Sequence, residues 1–136
     1  ILSLAATDII GRTPWCRDPS SKHRVQVAGY DISRAYLHAE TDPSEPTYVD
    51  LPKEHGGANS GMCGLLKRHM YSTRKAADGW QQHYTQFMKS IEFRQGTASP
   101  CLFVHSGRNM MVTVHGDDFT VVGEACQVDW FQSCLA

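Results

Sequence analysis

Residues 109–123 constrain the fold more than any other stretch. They read Asn-Met-Met-Val-Thr-Val-His-Gly-Asp-Asp-Phe-Thr-Val-Val-Gly. Two short β-prone runs, 111–114 and 119–122, are separated by His115, Gly116, Asp117 and Asp118. This pattern predicts a tight hairpin with the two acids at its tip. Adjacent carboxylates repel each other. A divalent cation would relieve the repulsion, and hard cations such as Mg²⁺ favour carboxylate oxygen. A solvated Gly-Asp turn accounts for the same residues, since turns are where Asp collects. Both readings stand at this level.

The chain has 136 residues, enough for one domain with a core. Its 41% hydrophobic and 20% charged content fits a soluble globular protein. A formal net charge of -1 gives no basic excess, so any surface for nucleic acid must be local. The apolar runs fall far short of the roughly 18 residues of a membrane helix. Residues 1–10 are apolar but lack the basic start and cleavage site of a signal peptide. The first residue is not Met, and the chain is expected to be a piece of something longer. Cys16, Cys63, Cys101, Cys126 and Cys134 are odd in number and widely spaced. They predict reduced thiols and an intracellular location, cytoplasm or nucleus. The histidines are scattered, without the spacing of a zinc site.

Along the chain, residues 1–10 read as the end of a helix, broken at 11–14 and followed by a loop at 18–22. Residues 24–32 alternate as a strand does. Val25, Val27, Gly29 and Asp31 share one face, and Gln26, Ala28, Tyr30 and Ile32 share the other. A carboxylate on that small, apolar face is costly unless it is paired or metal-bound. Residues 33–38 predict one or two helical turns, 41–46 an acidic loop and 47–51 a short strand. The glycine-rich loop 55–61 lacks the pattern of a phosphate-cradling loop. A strand with a basic end is expected at 64–70. The best helix is 76–92, with Trp80, Tyr84, Phe87, Met88 and Ile91 on one face. Residues 93–100 read as a connection, 101–105 as a strand, 106–109 as a hairpin turn and 124–135 as a closing helix. The fold class expected is α+β, an antiparallel sheet with helices on one face, in one domain spanning 1–136. If the strand ending at Asp31 neighbours the hairpin, three carboxylates meet at one edge, and such a cluster suits two Mg²⁺ ions.

Five blocks in register carry a resemblance. Val27-Ala28-Gly29-Tyr30-Asp31-Ile32-Ser33-Arg34-Ala35-Tyr36-Leu37-His38 supplies an Asp followed by Ala-aromatic-Leu. Tyr48-Val49-Asp50-Leu51-Pro52 comes next, then the block from Leu66 and Lys67 to Trp80, then Ser99-Pro100-Cys101-Leu102-Phe103-Val104. The fifth is 114–119, in place of a Tyr-Val-Asp-Asp box. Together they resemble the palm region of a copia-type retrotransposon reverse transcriptase over about residues 25–123. The resemblance implies a palm-like (ferredoxin-like) subdomain truncated at both ends, with incomplete fingers and no thumb. It implies RNA-directed DNA polymerase chemistry, extending a primer 3′-hydroxyl with dNTPs on an RNA or DNA template. Asp31, Asp117 and Asp118 would be catalytic and would hold two Mg²⁺ ions, or Mn²⁺, with the backbone carbonyl of Ile32. Tyr36 would gate the sugar, and Tyr71, Ser72 and Lys75 would lie against the nucleotide. Lys67, Arg68 and Arg74 would meet nucleic-acid phosphates. Fingers, thumb, RNase H and integrase of the same polyprotein would be its partners, with no membrane.

Departures from the family pattern have consequences. His115-Gly116 replaces Tyr-Val. Ser72 stands where the family has Gly, Thr73 for Leu, Lys75 for Gln and Ala77 for Pro. A Cβ at position 72 costs room or forces a less favoured φ. Without the family's fingers and thumb a bare palm would hold template-primer poorly, so the fragment alone is expected to be inactive. The alternative reading is an inactive retroelement remnant, or a non-catalytic nucleic-acid-binding module on the same scaffold. That module would stack bases on exposed sheet aromatics, for which Phe103 and Tyr30 are the candidates.

Overall fold

A computed structural model describes residues 24–57 and 61–136. The helix, break and loop expected within residues 1–22, and Cys16, lie outside the described residues. In chain order the elements are β1 (Val25–Asp31), β2 (Tyr48–Asp50), β3 (Cys63–Leu65), α1 (Ala76–Ser90), β4 (Arg94–Gln95), β5 (Leu102–His105), β6 (Met110–His115), β7 (Asp118–Glu124) and α2 (Ala125–Leu135). They form two compact units. Of the described residues, 24–33 and 85–136 make one, and those within 34–84 make the other.

The first unit holds a five-stranded antiparallel sheet in the order β1-β7-β6-β5-β4. Strand alternation divides its faces. Phe103, His105, Val112, Val114, Phe119 and Val121 are buried on one face, where Ala28 and Tyr30 are half-buried. Helix α2 covers that face. Its Phe131 is fully buried, with ring centroids 6.1 Å from Tyr30, 6.5 Å from Phe119 and 5.7 Å from Phe93. Each such phenylalanine contributes about 2–3 kcal/mol through the apolar area it removes from water. On the opposite face Val122 is fully buried, whereas Val27, Gly29, Asp31, Thr113 and Thr120 are exposed or half-buried. Mixed α+β architecture follows, as the element order implies. Asp31 is exposed, so the burial cost expected for its carboxylate does not arise.

Two local features depart from the sequence expectation. Residues 94–95 form an edge strand rather than plain connection, pairing Arg94 with Val104 and Gln95 with Phe103. Two residues are too short to show alternation. Helix α1 stops at Ser90, earlier than expected, because Glu92 turns left-handed at φ 68°. The Phe93 amide donates to the Met88 carbonyl at 3.0 Å, and the Glu92 amide to the Lys89 carbonyl at 3.1 Å. These are the paired bonds of a Schellman cap, and Met88 and Phe93 supply its buried apolar pair. Glycine is the usual residue at that position, so no glycine signals this helix end.

In the second unit, β2 and β3 form a two-stranded ribbon, with Tyr48 opposite Leu65, Val49 opposite Gly64 and Asp50 opposite Cys63. The strand expected at 64–70 is confined to Cys63–Leu65. Beyond it the chain still uses its backbone groups. Thr41 donates to the Lys67 carbonyl at 3.2 Å, His69 to Ala39 at 2.9 Å and Leu66 to Thr47 at 2.9 Å. Thr41 Oγ1 also donates to the Leu66 carbonyl at 2.8 Å. Residues 33–38 yield a single 3₁₀ turn, Ala35–His38. The start of α1 buries Ala76, Trp80 and Tyr84, and the Trp80 and Tyr84 rings meet edge-on at 5.7 Å.

Cys63, Cys101, Cys126 and Cys134 are free thiols. Among the described residues no helix is long and apolar enough to cross a membrane. We expect Glu92→Gly to raise stability by about 1 kcal/mol, since glycine adopts φ 68° without a Cβ penalty. The carboxylate it removes is 3.9 Å from His105 Nε2 and 85% exposed, so little is lost with it. Urea denaturation would measure the difference.

Candidate functional site

The acidic site begins with the turn between β6 and β7. His115 pairs with Asp118, leaving Gly116 and Asp117 as a two-residue connection. Gly116 has φ 63°, whereas Asp117 is not among the positive-φ residues. Positive φ at the first central residue alone is the signature of a type II′ turn, whose twist matches a hairpin and whose first central residue is glycine. The hairpin expected at residues 111–122 therefore forms, with its acids at the tip.

Strand β1 brings the third carboxylate. Asp31 lies directly opposite Asp118 in the β1–β7 register. The ladder then runs one step past the strand end, where the Ile32 amide donates to the Asp117 carbonyl at 3.1 Å. Directly opposed residues of an antiparallel pair share a face, with Cβ atoms about 4.5–5.5 Å apart. Asp31, Asp118 and His115 thus form a row across three strands on the face opposite α2. Asp31, Asp118 and His115 are exposed, and Asp117 is half-buried. Sequence reasoning did not single out His115 as part of this row; its parity with Asp118 across a two-residue turn was the available signal.

Opposed carboxylates repel, and a cation bound between them would relieve the repulsion. Their oxygens are the hard donors that Mg²⁺ or Mn²⁺ accepts. Among the described residues no three His, Cys, Asp or Glu side chains already form a metal-holding group. The backbone register brings the acids to one edge. The donor set fits a hard divalent ion in its chemistry.

The remaining candidates fall in the second unit. Tyr36 and Tyr71 meet edge-to-face with centroids 4.5 Å apart, which joins the expected sugar gate to the expected nucleotide segment. Ser72 has φ 67°, the left-handed conformation that the family glycine would adopt freely. Two of the four cations already have acidic partners. Arg68 lies 3.3 Å from Glu40 and also donates to the His38 carbonyl at 2.6 Å. Lys75 is ion-paired with Glu45. Lys67 and Arg74 have no ion pair among the described residues. Hydrogen bonds from Ser44 hold the Asp42 carboxyl below its usual range, with Lys75 adding a smaller contribution. Burial lowers the His83 pKa first, then His38 and Arg68, while Glu40 opposes them. The sequence showed the acidic loop 41–46 but not that Glu45 within it and Glu40 beside it would pair with two of those cations.

The two aromatics on which base stacking would depend are unavailable. Phe103 is fully buried, and Tyr30 lies on the face covered by α2, its hydroxyl donating to the Val128 carbonyl at 3.4 Å.

A family model described as reverse transcriptase (RNA-dependent DNA polymerase) matches residues 20–135, a span that contains all of these positions. No solved structure matches the chain.

Two measurements check the local physics. Asp118→Asn should raise stability in EDTA by roughly 0.5 kcal/mol, because it removes one of two opposed like charges. Ser72→Gly should raise it by about 1 kcal/mol, because it relieves a left-handed serine. Urea midpoints at pH 7 would report both changes.

Proposed function

We propose a specific activity for this chain, which belongs to the reverse transcriptase (RNA-dependent DNA polymerase) family. It is the palm portion of a copia-type retrotransposon polymerase. Its chemistry is nucleotidyl transfer, in which a primer 3′-hydroxyl attacks the α-phosphorus of a dNTP and pyrophosphate leaves. The observation that carries this reading is the register that sets Asp31 opposite Asp118 and ties Ile32 to Asp117.

Asp31, Asp117 and Asp118 would hold two Mg²⁺ ions, with the Ile32 carbonyl as a further oxygen donor. Bound there, the ions would supply charge neutralisation for the attacking and leaving oxygens. The residues of the chain do the rest. Strand β1 and the β6–β7 turn hold the backbones of the three acids at one sheet edge, from which their carboxylates would reach the ions. On the second unit, the Tyr36 ring, braced by Tyr71, would pack beneath the sugar and exclude a 2′-hydroxyl. Ser72 and Lys75 would line the path of the incoming nucleotide. Lys67, Arg68 and Arg74 would meet template-primer phosphates.

A second reading, an inert remnant, is favoured by one observation. Ser72 keeps a glycine-type backbone with a Cβ attached, which would obstruct a close approach of nucleotide to backbone.

The discriminating experiment is dNTP incorporation on poly(rA)/oligo(dT) with Mg²⁺ or Mn²⁺, alongside Mn²⁺ binding followed by electron paramagnetic resonance. We expect Asp117→Asn to weaken Mn²⁺ binding and lower incorporation by at least about a hundredfold, since even groups that only orient metal ligands are worth about 10–100-fold. Incorporation that survives the substitution would refute the metal role. No incorporation, together with Mn²⁺ binding that ignores all three acids, would favour the remnant.

A further inference from the structure

We infer that the acidic segment 40–45 is a built-in competitor for phosphate, holding Arg68 and Lys75 until a phosphate displaces it. This inference rests on the reading of those two cations as phosphate-facing. Glu40 pairs with Arg68, and Glu45 pairs with Lys75. Asp42, whose carboxyl accepts from the Ser44 amide at 2.8 Å and from the Ser44 hydroxyl at 2.7 Å, adds a third negative charge between them. Two separate ion pairs therefore join one acidic segment to one basic segment.

These pairs are not what holds the segment in place. Backbone bonds do that: Thr41 to Lys67, His69 to Ala39 and Leu66 to Thr47, with a bridge pairing Glu40 and Arg68. The carboxylates can leave their cations while the backbone ladder stays intact. They are also weakly held. The Arg68 and Glu40 side chains are 51% and 78% exposed, those of Lys75 and Glu45 50% and 57%. Exposed pairs of this kind are worth about 0–1 kcal/mol and yield readily to a stronger anion. A phosphate carries more charge and more acceptor oxygens than a carboxylate, and guanidinium takes it bidentately. The ligand class is a phosphate-bearing chain, either the backbone of a nucleic acid or a nucleoside triphosphate tail.

The test compares the full 136-residue chain with its Glu40→Gln/Glu45→Gln variant in EDTA, so that metal binding does not enter. Probes are a short fluorescent RNA–DNA hybrid, read by anisotropy, and inorganic triphosphate, read by calorimetry. We expect the variant to bind about three- to tenfold tighter at low salt, with the gain gone at high salt. A gain with the hybrid alone assigns the cations to nucleic-acid backbone, and a gain with triphosphate as well assigns them to the nucleotide. Adding Arg68→Gln and Lys75→Gln to the double variant should erase the gain. A control, Asp50→Asn/Glu54→Gln, removes the same charge from exposed positions away from the ion pairs and should show none. Equal gains in the control, a gain that persists without Arg68 and Lys75, or no binding by any variant would overturn the inference. Loss of incorporation with this binding pattern intact would count against the polymerase reading alone.

Discussion

The alignment of β1 with β7 is the constraint on which the acidic edge depends. Side chains alternate along a strand, so slipping β1 by one residue would carry Asp31 to the face covered by α2. It would carry Tyr30 to the open face at the same time, stranding its hydroxyl and its contact with Phe131. The apolar packing of Ala28, Tyr30, Phe119, Val121 and Phe131 therefore does more than stabilise the unit. It selects the register that puts Asp31 across from Asp118. Stability and site geometry share one set of contacts on opposite sides of the same sheet.

Where the sequence was legible, its periodicity was strong. The tight hairpin could be read from Gly116 and the acids between two β-prone runs, and α1 from the spacing of Trp80, Tyr84 and Met88. Alternation located β1 but could not tell which of its faces would be covered, because both carry small residues. The face read as apolar proved to be the open one. Strand β4 was hidden because pairing with β5, not its own two residues, makes it a strand. The end of α1 was hidden because Glu92 takes a conformation that a glycine would have announced. The pairing of Arg68 and Lys75 with glutamates was beyond reach for another reason. Which acid meets which base across a loop is a tertiary fact that composition does not encode.

The second unit shows why a basic cluster in a sequence is a poor measure of available positive charge. Residues 67–75 contain four cations, yet two of them face carboxylates. The near-neutral net charge of the chain has a local counterpart in these pairs. Family membership and local electrostatics are also separate questions. The match over residues 20–135 establishes the family, whereas the charge that the basic segment presents depends on where the glutamates lie.

The partners of β1 are about 90 residues downstream of it, with the whole of the second unit in between. Contacts so distant in the chain fold slowly, because a long loop must close before they form. During synthesis at about 5–20 residues per second, β1 would leave the ribosome roughly 5–20 seconds before β7 exists to pair with it. Through that interval an unpaired, largely uncharged strand is open to pairing with other chains.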